Sequence, residues 1–96
     1  MIPRPQNITS IVNKYIPNEI RGIERINLIS MINVIIESTI AGDKEIDECV
    51  NDLKEIFSQF LDEENVNKAI DEIIRAIKIE RAIRVAMMKG RRKFTV

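Results

Sequence analysis

Apolar residues recur along this chain at helical spacing, and the points where that spacing starts, stops or changes phase divide it into four segments. Ile8, Ile11, Val12, Tyr15 and Ile16 fall at i, i+3, i+4, i+7 and i+8, the pattern of a short amphipathic helix, and Pro17 ends it. Pro3 and Pro5 make residues 1–6 an extended lead-in, because each proline fixes its own φ and disfavours helix in the residue before it. Asn18 is placed to cap a second helix, expected from residue 19 to about 41. Its apolar positions are 20, 23, 26, 28, 29, 31, 32, 34, 35, 36 and 40, which at 100° per residue cover most of the circumference. That is the pattern of a helix buried on all sides, so this element is expected to be the buried one.

Gly42 suits the residue after a helix and Asp43 the N-cap of the next, so residues 41–44 read as a tight turn into an antiparallel third helix. Ile46, Cys49, Val50, Leu53, Phe57, Phe60 and Leu61 keep helical spacing for four turns, the clearest periodicity in the chain. The acidic run Asp62-Glu63-Glu64, with Asn65, then marks the start of a fourth helix, where negative charge is favoured by the exposed amides and the helix dipole.

The fourth helix changes phase. Val66, Ala69, Ile70, Ile73 and Ile77 form one stripe, but continuing it by helical steps reaches Glu80, Arg81 and Arg84. A second stripe of Ile79, Ala82, Ile83 and Ala86 points nearly the opposite way, and it reads as a contact seam for a second copy or a partner unless the helix breaks near Lys78. Lys89-Gly90 supplies a stop, leaving a tail with no helical pattern over residues 91–96. The expected fold is all-α: one domain over residues 1–96, a small bundle of one short and three longer helices completed by oligomerisation, with a basic tail over 89–96. At 96 residues the chain buries only about 60 to 65% of the surface its unfolded form exposes, so association adds core area that the monomer lacks.

Charge changes this picture. The formal net charge is zero, yet residues 37–72 carry twelve acids against three bases and residues 73–96 carry eight bases against Glu80 alone. The bases are Arg75, Lys78, Arg81, Arg84, Lys89, Arg91, Arg92 and Lys93. Like charges gathered this closely repel, and two readings account for them. The acidic third helix could lie alongside the basic fourth and neutralise it, with the dipole favouring cations near the C-terminus. Otherwise the cluster serves a polyanion, either nucleic acid or an acidic protein surface. Phe94 is the only aromatic residue among the basic positions, so contact with a duplex backbone fits better than base stacking on a single strand.

Catalytic and metal chemistry find little to work with. There is no His and no Trp, and the single Cys49 sits on the apolar stripe of helix three, where it reads as a small buried hydrophobe rather than a nucleophile. Residues 43–54 place acids at the first, third and fifth positions of a calcium loop, but position 6 is Glu48 instead of Gly and position 12 is Lys54 instead of Glu. No phosphate-binding glycine motif occurs, and without histidine a carboxylate di-metal bundle cannot be built. Asn27, Ser30, Asn33 and Glu37 read as a narrow polar edge on helix two.

No cofactor, metal, small-molecule substrate or enzymatic activity is expected. One cysteine, no apolar signal segment and no stretch approaching the roughly 18 residues of a membrane span point to the cytoplasm, where the sequon Asn7-Ile8-Thr9 stays unmodified. Twenty isoleucines against three leucines, with eight asparagines, reflect an A+T-rich coding bias of the kind found in archaea, their viruses and their plasmids. The expected function is that of a small interaction protein using its basic C-terminal helix and tail on nucleic acid, the alternative being a protein adaptor or assembly subunit docked through the Ile79 stripe.

Overall fold

A computed structural model describes the backbone of residues 8–94 and the side chains of residues 8–87. The expected lead-in over 1–6 lies outside the described residues. Those described form four α-helices and no strand: α1 (Ile8–Tyr15), α2 (Gly22–Ile40), α3 (Ile46–Phe57) and α4 (Glu63–Phe94). About 80% of the structure is helical, so the all-α class read from the sequence is the observed one.

Two helix boundaries have a clear local cause. Asp62 caps α4, its Oδ1 accepting the Asn65 N–H at 2.9 Å. After α2, Gly42 takes φ +88, while the Asp43 N–H bonds the Ser38 carbonyl at 2.9 Å and the Gly42 N–H bonds that of Thr39 at 3.2 Å. These two bonds close the helix end in the left-handed glycine arrangement that the sequence announces. The N-cap of α3 is Glu45 and not Asp43, with no side-chain cap. At the other end of α3 the helix stops at Phe57, and Phe60 and Leu61 reach the core from the following turn.

Two further boundaries depart from the sequence reading. α2 starts at Gly22, not residue 19, because Gly22 sits at φ +65, a left-handed geometry that interrupts a helix. Residues 18–20 instead form a turn closed by the Ile20 N–H on the Pro17 carbonyl at 3.1 Å. α4 does not stop at Lys89-Gly90 but runs to Phe94, unbroken at Lys78. One interior glycine costs only about 1 kcal/mol relative to alanine, and the basic residues that follow favour a helix C-terminus.

The larger correction concerns which helix is buried. α2 and α4 each touch all three other helices, but it is α4 whose first stripe, Val66, Ala69, Ile70, Ile73 and Ile77, is buried throughout. α2 buries only Ile32, Ile36, Thr39 and Ile40 and leaves Ile23, Ile26, Met31 and Val34 exposed. A helix apolar all round needs neighbours all round; α1, α3 and α4 cover one side of it, and no described element forms an outer layer. Phe57 anchors the α3 contribution, fully buried and edge-on to Phe60 with ring centroids 5.7 Å apart.

The end of α1 and the turn after it are clasped by one side chain of α2. The Arg25 guanidinium, near the start of α2, donates to the carbonyls of Pro17 (3.0 Å), Ile20 (3.0 Å) and Asn13 (3.1 Å) and to Asn13 Oδ1 (3.2 Å). It thereby satisfies acceptors left over at the end of α1 and in the turn that follows. Lysine keeps the charge but not the planar fork. Arg25→Lys is therefore expected to lower stability by about 1 to 3 kcal/mol in urea unfolding, and an unchanged midpoint would show that the clasp contributes nothing.

Candidate functional site

Ile77 is the last buried residue of α4 among those whose side chains are described. At 1.5 Å per residue the helix continues for about 25 Å beyond it, and the molecule is correspondingly elongated, 53 by 29 by 22 Å. The hairpin turns set α3 antiparallel to α2 and α4 antiparallel to α3, so this second half of α4 leaves the bundle from the end where α2 finishes. It forms an arm.

The basic positions distribute along it unevenly. Arg75, still beside the bundle, is exposed and paired with Asp71 at 2.9 Å. Arg84 lies between Glu37 of α2 at 3.5 Å and Glu80 of its own helix at 3.6 Å. Lys78 is exposed and Arg81 partly so, and neither has an ion-pair partner among the described residues. Lys89, Arg91, Arg92 and Lys93 stand on the helical backbone, with side chains outside those described. No described ion pair joins an acid of α3 to a base of α4; Asp52 of α3 is taken by Lys44 at 2.6 Å. Among the described residues the acidic helix does not neutralise the basic one.

The second stripe faces outward on the same arm. Ile79 is 46% exposed and Ile83 37%, with Ala82 and Ala86 exposed between and beyond them and Val85 and Met87 exposed nearby. Ile79 also lines a groove of about 820 Å³ bounded by Ile8 and Thr9 of α1, Asn33 and Glu37 of α2, and Glu72 and Arg84 of α4. Its walls mix apolar side chains with charges already paired across it. Of the polar line on α2, Asn27 and Ser30 are exposed, while Asn33 and Glu37 belong to this groove.

Glu72 forms a cluster that its position in the sequence does not reveal. Lys14 Nζ of α1 donates to Glu72 Oε1 at 2.9 Å and lies 5.1 Å from the centre of the Tyr15 ring. The Tyr15 hydroxyl is directed at the same carboxylate, though Glu72 Oε2 is buried without a hydrogen bond of ordinary geometry among the described residues. That interaction, with burial of the phenol second, pushes Tyr15 up to about 12. Tyr15 first and Lys14 second hold Glu72 below the usual glutamate value. The contacts are long-range and structural, tying α1 to α4.

Cys49 is fully buried, and burial raises its thiol despite the opposing contact with Thr39. A thiol held protonated and away from solvent is not a nucleophile. No group of three or more His, Cys, Asp or Glu able to hold a metal ion occurs among the described residues. Nor is any described helix long and apolar enough to cross a membrane.

No protein-family model matches the chain, and neither curated proteins nor solved structures give a match.

The Glu72 cluster is open to direct measurement, since Tyr15 is the only tyrosine and there is no tryptophan. With its folded value raised, Tyr15 contributes stability that is intact below pH 10 and lost as pH climbs toward about 12. Glu72, with its folded value lowered, contributes stability present above pH 4.5 and lost on acidification below it. Phenolate absorbance of Glu72→Gln should titrate nearer pH 10 than the wild type; coincident curves would detach Tyr15 from Glu72.

Proposed function

We propose that this chain is a non-enzymatic interaction protein whose projecting α4 arm binds nucleic acid through the duplex backbone. The reading is carried by one observation: the basic half of α4 runs out past Ile77, and no described ion pair links it to the acids of α3. Lys78 and Arg81 are the described residues with charge to offer, and Lys89, Arg91, Arg92 and Lys93 continue the series along the same helix. Arg75 and Arg84 contribute after exchanging Asp71, Glu80 and Glu37 for phosphate. A straight helix carrying a row of cations matches a phosphate backbone without reading bases, so the binding is tolerant of sequence.

The exposed stripe supports a second reading, a protein adaptor. Ile79, Ala82, Ile83 and Ala86 form an apolar seam with two alanines that allow close helix approach, and the flanking cations would suit an acidic partner. The two readings use different faces of the arm and respond differently to salt.

Fluorescence anisotropy with a labelled DNA duplex separates them. With about four or five phosphate contacts, the logarithm of the association constant should fall against log salt with a slope near −4. Replacing Lys78, Arg81, Arg91, Arg92 and Lys93 with Ala should weaken binding and flatten that slope while circular dichroism stays helical. Absence of binding to both DNA and RNA duplexes at low salt would overturn the nucleic-acid reading in favour of the adaptor.

A further inference from the structure

We propose that Glu37 of α2 is a built-in competitor for the α4 arm: it holds Arg84 until a dense polyanion displaces it, and so sets how strongly the arm binds. The inference rests on the duplex-binding reading of the arm.

Arg84 is the one described base beyond Ile77 that is tied to the body of the bundle. It lies 3.5 Å from Glu37 of α2 and 3.6 Å from Glu80 of its own helix. Lys78 and Arg81 have no ion-pair partner among the described residues. One turn back on α4 the charged neighbours of Arg84 are Glu80 and Arg81, an acid and a base that offset each other. Glu72 and Arg75 line the same groove, but Lys14 takes the first and Asp71 the second, each at 2.9 Å. With these accounted for, Glu37 is the acid that the body contributes to the arm, presented from the end of α2 where the arm leaves the bundle.

The geometry suits exchange. A charge-assisted hydrogen bond runs at about 2.7 to 2.9 Å, and the Arg75–Asp71 and Lys14–Glu72 pairs, both at 2.9 Å, reach it. Arg84 stands farther than that from both its carboxylates, so its guanidinium fork is still open to the bidentate contact that a phosphate offers. Its side chain is 46% exposed and that of Glu37 65%, so a partner reaches both without disturbing the fold. An exposed pair of this kind is weak. A duplex offsets its loss through the counterions released from the phosphates, whereas a sparsely charged acidic surface offers Arg84 only another carboxylate in place of the one it has. Glu37 therefore lowers the affinity of the arm for anions in general and leaves a duplex the best able to displace it.

Fluorescence anisotropy of the full chain with a labelled DNA duplex at low salt tests this through a double-mutant cycle. Glu37→Gln keeps the shape of an exposed side chain and removes its charge, so circular dichroism should stay helical while affinity for the duplex rises about two- to five-fold. That gain should shrink as added salt screens the pair. In an Arg84→Gln background the same Glu37→Gln change should bring little or no gain, because the cation it would release is gone. Wild-type binding that Glu37→Gln leaves unchanged would overturn this inference alone. So would an equal gain with and without Arg84, since Glu37 would then act by its charge without holding Arg84. Absence of duplex binding by both the wild type and Glu37→Gln would overturn the reading of the arm and this inference together.

Discussion

The burial of one stripe of α4 governs the remainder of the molecule. Val66, Ala69, Ile70, Ile73 and Ile77 present five apolar residues in line, and α1, α2 and α3 each pack against the helix that carries them. Side chains of this size contribute about 1.5 to 3 kcal/mol each when fully buried, so in a chain this small the stripe is a major share of what opposes conformational entropy. Because the rotation of α4 is set there, every later residue on the same helix has its direction fixed. Glu80 and Arg84 come round to the α2 side, where Arg84 meets Glu37, while Ile79, Ala82, Ile83 and Ala86 are turned to solvent.

Charge follows the same geometry. The acids are concentrated on α3 and the first turns of α4, the bases on the last half of α4, and the elongated shape separates them. Arg84 pairs with Glu37 of the body at 3.5 Å, while exposed charges more than about 8 to 10 Å apart are largely screened at ordinary salt. A fold that needed only its own stability would gain by interleaving the signs. Under the proposed function, the seven cations that follow Ile77 are the surface offered to an anionic partner, with the acidic body disfavouring contact elsewhere on the molecule.

What could be read from sequence was whatever depends on neighbours along the chain. The four helices, the Gly42 turn and the outward rotation of Ile79 and Ile83 all follow from spacing and capping residues. What could not be read depends on how many neighbours a helix has in space. α2 carries apolar residues around its whole circumference, and no local pattern tells whether that means burial in a core or a face awaiting a second chain. Arg25 gathers acceptors from two segments, and Glu72 meets Tyr15 and Lys14 across 57 and 58 positions, contacts with no short-range signal. Gly22 and Gly90 misled in opposite directions: one takes a left-handed conformation within an apolar run, the other is absorbed by a continuing helix.

The division of α4 into a packed half and a projecting arm underlies the proposed binding role. Amide hydrogen exchange resolved by residue tests it most directly, with and without a DNA duplex at low salt. Amides over 66–77 should be strongly protected in both conditions, and those over 80–87 should exchange faster alone and gain protection on adding duplex. Protection over 80–87 equal to that of the core in the free protein, or a gain confined to α2 and α3 when duplex is added, would contradict the account.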